Sequence, residues 1–192
     1  MNSIVCDFIN PDKLVLDERE LSKRLGSPNP MQEKNICDCI RRLKDVCKPR
    51  YCCAKTSVLL NESECAFDFM TVHSVSLSRA LKGCKSAYVV AFTLGIEADR
   101  LIHKLGITSG ADAFIADAVS SALAEAGMGY VCESLEGSLA ERFSVGYGDF
   151  VLSNQAKILD YLSADKLLGI KLSESCIMTP RKSVTAIIGV ID

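Results

Sequence analysis

The sequence predicts an α+β protein: a mixed or antiparallel sheet with long helices packed against it. Three observations lead there. Ala87 to Leu94 is apolar at nearly every position, as a strand buried on both faces must be. Residues 111–138 read as one long helix. Strand-like runs occur in adjacent pairs, at 51–60 with 65–70 and at 171–178 with 184–191, rather than alternating one by one with helices.

Taken in order, residues 4–9 read as a short strand. Asp17 caps a helix over 18–25 that Gly26 stops. Ser27-Pro28-Asn29-Pro30 is a non-helical linker, so residues 1–30 are expected to form an N-terminal arm and 31–192 a single globular unit. Ile36, Cys39, Ile40, Leu43, Val46 and Cys47 recur at helical spacing until Pro49. Asn61-Glu62-Ser63-Glu64 joins the next two strands as a hairpin, with Phe67 and Phe69 on one face and Asp68 on the other. A short helix at 76–81 ends at Gly83, and Gly95 turns the central strand into a helix stopped by Gly106. Thr108 or Ser109 caps the long helix, whose stripe of Phe114, Ala118, Ala122, Ala126 and Tyr130 is small in the middle. Gly127 and Gly129 cost that helix roughly 1 kcal/mol each against alanine, which points to a close neighbour, a kink or a ligand. Ser153 caps a helix to 162, a further turn ends at Gly169, and residues 179–183 join the last two strands as a hairpin. The final strand is apolar on both faces and is expected inside the sheet.

Composition narrows the function. With 22 basic and 24 acidic residues, the net charge of −2 leaves no electrostatic footprint for nucleic acid. No apolar run reaches the roughly 18 residues of a membrane span, and the first residues lack a signal-peptide pattern, so a cytoplasmic protein is expected. Ten cysteines in a chain 48 % hydrophobic read as compact apolar residues rather than a disulfide frame. A metal or redox role stays open for Cys37, Cys39, Cys47, Cys52 and Cys53, although their spacing is unlike that of structural zinc sites. His73 and His103 lie in no catalytic motif, and the glycine-rich phosphate-binding and serine-hydrolase signatures are missing.

The stretch from Glu141 to Phe150 combines Arg142, three aromatics and the glycines Gly146 and Gly148. Arginine presents a planar fork of donors suited to carboxylate or phosphate, and glycine lets backbone approach a ligand closely. It reads either as a ligand cradle or as a well-packed loop. Glu125, among small helix residues, could hold an ammonium or ribose hydroxyls, or could be an ordinary surface residue. Glu174 shares a strand face with Leu172, Cys176 and Met178 and so needs a partner, with Arg142, Arg181 or Lys182 as choices.

Three blocks, Arg142-Phe143-Ser144-Val145-Gly146-Tyr147, Gly169-Ile170-Lys171-Leu172-Ser173-Glu174-Ser175 and Met178-Thr179-Pro180-Arg181-Lys182-Ser183-Val184, resemble the activation domain of cobalamin-dependent methionine synthase. Residues 86–192 carry the resemblance, with Thr93-Leu94-Gly95 and residues 117–126 as further points. It implies that domain's fold and an S-adenosylmethionine pocket lined by Arg142, Ser144, Gly146 and Tyr147, faced by Glu125. It also implies reductive remethylation of cobalamin that a separate protein holds, hence a corrinoid-binding methionine synthase subunit and a flavodoxin-like electron donor as partners. The chain would then be a component of a methyltransferase in methionine biosynthesis rather than a complete enzyme, with no catalytic side chain and no metal ligand of its own. Phe143, Ser144 and Val145 stand where fused family members carry prolines, and no D-x-H-x-x-G corrinoid motif occurs. The competing expectation is a docking module for a corrinoid protein with a degenerate pocket.

Overall fold

The computed structural model describes residues 3–26 and 30–191. Its elements, in chain order, are β1 (Val5–Phe8), α1 (Glu18–Leu25), α2 (Pro30–Val46), β2 (Arg50–Leu60), β3 (Glu64–Phe67), β4 (Thr71–His73), α3 (Val75–Ala80), β5 (Cys84–Thr93), α4 (Ile96–Thr108) and α5 (Gly110–Ser134). They continue with β6 (Ser138–Leu139), β7 (Phe143–Ser144), α6 (Gln155–Tyr161), α7 (Ala164–Leu167), β8 (Lys171–Leu172), β9 (Met178–Thr179) and β10 (Ser183–Ile191). Asp17 caps α1 through the Arg19 amide, and Gly26 leaves the helix with φ +72°. Of the expected linker, residues 27–29 lie outside the described residues, and Pro30 already belongs to α2.

Every strand pair is antiparallel. The main sheet runs β4-β3-β2-β5-β10-β6, with β1 also on β2 and β7 also on β10. β5 lies at its centre, paired along its length with β2 and β10. Its side chains alternate between two cores. Val90 and Phe92 join Cys39 and Leu43 of α2 and Val119, Leu123 and Met128 of α5; Ala87, Val89 and Ala91 face Leu77 of α3 and Ile158 of α6. Both layers are therefore anchored on one strand, and β10 is interior as expected.

Several boundaries differ from the sequence reading. Gly106 does not stop α4; it sits beside Ala113 of α5, and the helix runs on to Thr108 before Ser109 caps α5. α5 ends at Ser134 rather than 138, because Gly137 at φ +102° turns the chain onto the β10 edge. Ser153 makes no cap; residues 152–154 form a 3-10 turn ahead of α6. Residues 171–178 are not one strand. Ser173 and Ile177 exchange backbone and side-chain hydrogen bonds, so β8 folds back on β9 as a separate hairpin, and Glu174 is exposed in its turn. Residues 179–183 accordingly link that hairpin to β10 instead of joining two neighbouring strands; the link contains a cis Thr179–Pro180 bond. Among the described residues no helix is long and apolar enough to cross a membrane.

Of the expected causes for the α5 glycines, a close neighbour holds at Gly127: an added Cβ would lie 2.2 Å from Cζ of the fully buried Phe92 ring. Gly129 meets nothing within 4 Å. Gly127→Ala is expected to destabilise the protein by about 1–3 kcal/mol through overpacking, despite roughly 1 kcal/mol of helix propensity in its favour. Gly129→Ala, with free space, is expected to be neutral or stabilising. Chemical denaturation of both variants checks the contrast.

Candidate functional site

The site lies where the β10 edge, α5 and the β8–β9 hairpin converge. Two short strands flank Arg142. β6 pairs with Val190 and Ile191, and β7 places Phe143 and Ser144 opposite Ile187 and Ala186. Arg142 is thus carried on a sheet edge rather than on a free loop. Its Nη2 donates to Glu125 Oε2 of α5 at 2.6 Å. The two side chains keep 27 % and 38 % of their surface exposed, so the pair borders solvent and is not a buried ion pair.

A cleft of about 410 Å³ opens beside the pair, bordered by Glu125, Arg142, Ser144 and Tyr147 and, across it, Ile177 and Met178. A second hollow of about 550 Å³, bordered by Arg79, Glu141 and Phe143, shares Arg142, Ser144 and Tyr147 with the first. Of the expected site residues, Glu125, Arg142, Ser144 and Tyr147 therefore meet at one opening. Gly146 borders neither hollow. Its φ of +91° makes the turn that lets its amide donate to the Phe150 carbonyl. Tyr147 is 65 % exposed, a flat apolar face at the rim.

Asp149 holds this turn in place. Its carboxylate accepts from Ser74 Oγ at 2.5 Å and from the amides of Val75 and Ser76 at 2.8 and 3.0 Å, where α3 begins. The Ser74 hydroxyl first, and the Ser76 and Val75 amides with it, hold the Asp149 carboxyl well below the usual carboxylate range. Gly148, at φ +54°, allows the approach, since a Cβ there would come within 2.9 Å of Ser76 Cβ.

On the other side, Lys182 is 13 % exposed and binds Asp117 at 2.8 Å and Ser121 at 2.9 Å on α5. The Arg181 amide donates to Asp99 of α4 at 2.7 Å. Of the residues named as partners for Glu174, the Arg142 and Lys182 side chains are thus engaged elsewhere. That carboxylate needs none, because it is solvated in a turn and not on an apolar strand face.

Sequence reasoning missed the wall formed by Cys176, Ile177 and Met178, because 171–178 read as one strand. The run Ser173-Glu174-Ser175 was the available turn signal. The cysteines form no cluster. Cys52 and Cys53 point into opposite cores, Cys39 is buried while Cys37 is exposed, and no group of three or more metal-type side chains occurs among the described residues. Burial pushes the thiols of Cys39 and Cys53 up to about 11, that of Cys47 to about 12 and that of Cys52 further still, so each is protonated near neutrality.

An antiparallel sheet with helices on both faces, and an Arg–Glu pair at the edge of its last strand, defines an α+β domain with an open edge cleft. The fold is similar to that of a solved structure, the crystal structure of the MetH reactivation domain bound to AdoHcy. The two chains are 16 % identical and superpose with a TM-score of 0.71 over 99 % of this chain and 79 % of that one. The likeness establishes the shared fold and bears out the fold that the sequence resemblance implied. No protein-family model matches the sequence, and no curated protein matches it significantly.

The depressed Asp149 carboxyl stabilises the fold above the ordinary carboxylate pKa of about 4, and this contribution is lost as pH falls through the lower folded value. The stability difference between the wild type and Asp149→Asn is therefore expected to be constant above about pH 5 and to shrink as pH drops below about 4. Denaturation curves across that range read it directly.

Proposed function

We propose that the chain is an S-adenosylmethionine-binding reactivation module that supports remethylation of cobalamin held by a separate corrinoid protein. The observation that carries this reading is the half-exposed Arg142–Glu125 pair at the mouth of the edge cleft. A methionyl group is a zwitterion. Its carboxylate matches the guanidinium fork and its ammonium matches the Glu125 carboxylate, so binding exchanges one ion pair for two. Opening the pair is inexpensive, because exposed salt bridges contribute only about 0–1 kcal/mol. Ser144 would offer a hydroxyl and Tyr147 a face for the adenosyl part. Gly146 would act through the turn that presents Tyr147.

The neighbour of the same fold is described with AdoHcy bound, which supports a ligand of this class. The chain's contribution would be positioning and charge complementarity, holding the sulfonium methyl toward the cleft mouth. The partner's reduced corrinoid would supply the nucleophile that accepts the methyl group, and a flavodoxin-like protein the electron. Exposed Tyr147, Val151, Leu152 and Ile177 near the opening suit contact with such a partner in the cytoplasm. Residues 1–30 are read as an arm on the 31–192 unit.

Calorimetric titration with S-adenosylmethionine and, separately, S-adenosylhomocysteine is expected to give saturable binding by the millimolar range. Arg142→Ala is expected to weaken it by roughly 10–100-fold, the equivalent of about 1.5–3 kcal/mol for a charged hydrogen bond, without loss of fold. Glu125→Gln should weaken it less, by about tenfold. Absence of saturable binding for both ligands would sink the reading and leave the corrinoid-docking alternative, which a pull-down with a corrinoid methyltransferase would then address.

A further inference from the structure

Ten cysteines are present and none is bridged, yet one pair is placed unlike the rest. β1 and β2 run antiparallel with Cys6 directly opposite Cys52, flanked by Val5 opposite Cys53 and Asp7 opposite Tyr51. Directly opposed residues point to the same face, with Cα atoms about 4.5–5.5 Å apart. A disulfide accepts Cα separations of about 4.4–6.8 Å. In the reduced protein the Cys52 thiol donates to the Leu162 carbonyl at 3.9 Å. Cys53 faces the other core with Val5 opposite, so it has no cross-strand thiol partner.

Access is asymmetric. All four residues of β1 are exposed, Cys6 included, whereas Cys52 is fully buried beneath it. A reagent therefore meets Cys6 first, and Cys52 is placed to attack what forms there. Closing the bond asks the Cβ atoms to approach from the 4.5–5.5 Å of a sheet pair to the roughly 3.5–4.5 Å of a disulfide. A four-residue edge strand bonded on one side can supply that movement more easily than the central strands can.

We infer that Cys6 and Cys52 form a reversible cross-strand disulfide by exchange with a small-molecule disulfide, fastening β1 to the sheet. The electrons balance within the exchange. The Cys6 thiolate attacks the small disulfide, expels one of its halves as a thiol, and is left in a mixed disulfide. Cys52, protonated in its buried place, gives its proton to the departing group as its sulfur attacks Cys6 sulfur, so the second half leaves as a thiol. Two protein S–H bonds and one external S–S bond are lost; one protein S–S bond and two external S–H bonds are made. The protein is oxidised by two electrons and the small disulfide is reduced by two.

The test incubates the full-length chain with oxidised glutathione, quenches with an alkylating agent, and maps peptides by mass spectrometry without reduction. Expected is a cross-link between the peptides holding Cys6 and Cys52, with the other cysteines alkylated. The oxidised protein should melt higher than the reduced one by roughly 5–10 °C, as expected for a bridge closing a long loop. Cys6→Ser, at an exposed position, should stay folded and show neither the cross-link nor the shift. Accumulation of glutathione at Cys6 without closure would overturn the inference. So would a different cross-link as the main product, or an equal melting shift in Cys6→Ser.

Discussion

The fold rests on the backbone of β5 being satisfied from both sides at once. An apolar strand with helices over both faces has no water to meet its amides and carbonyls. Pairing with β2 along one edge and β10 along the other is what permits Val89 to Phe92 to be fully buried. Everything at the site is referred to that strand. β10 is placed by β5, β6 and β7 by β10, and Arg142 by the two short strands. α5, with Glu125, is set against the sheet by the Phe92 ring lying over Gly127. The two partners of the ion pair thus reach each other along separate paths from the same strand.

What was legible in the sequence follows from this dependence. Long elements carry their own signal: the apolar run of β5, the period of α2 and the Asp17 and Gly26 ends of α1 were readable locally, whereas the stripe read on α5 begins at the exposed Phe114 and misses the buried Val119, Leu123 and Val131. Two-residue strands were not readable, because β6 and β7 exist only through pairing with β10, and no pattern of that length is distinctive. The residues at 171–178 failed for the opposite reason. Their apolar alternation suited a strand, but the Ser173 turn reverses the chain within it. Of the expected pocket residues, four meet at the cleft, while Gly146 serves the turn behind it. The Glu125–Arg142 contact spans 17 positions, so no local pattern signals it; the expectation that Glu125 faces Arg142 came from the family resemblance alone. The Ile177 wall came with the misread hairpin.

The charges around the cleft are divided between fixed and exchangeable. Lys182 is largely buried and held by both Asp117 and Ser121, and Asp149 is held by three donors. These contacts define the frame. Arg142 and Glu125 have each other and solvent, so their pairing can be traded for ligand groups at little cost. This division is what pre-organised recognition requires: rigid supports and labile first contacts. The cysteines, by contrast, contribute mostly as small apolar filling, which explains their number without a metal cluster.

Asp149 fastens the turn bearing Tyr147 to the start of α3, while the Tyr147 amide bonds the Ser144 carbonyl on the sheet edge that carries Arg142. The rim that carries the tyrosine is accordingly tied to a helix and to a strand at once. The spacing of the tyrosine from the guanidinium is therefore set jointly by one short helix and one short edge strand, neither of which could fix it alone.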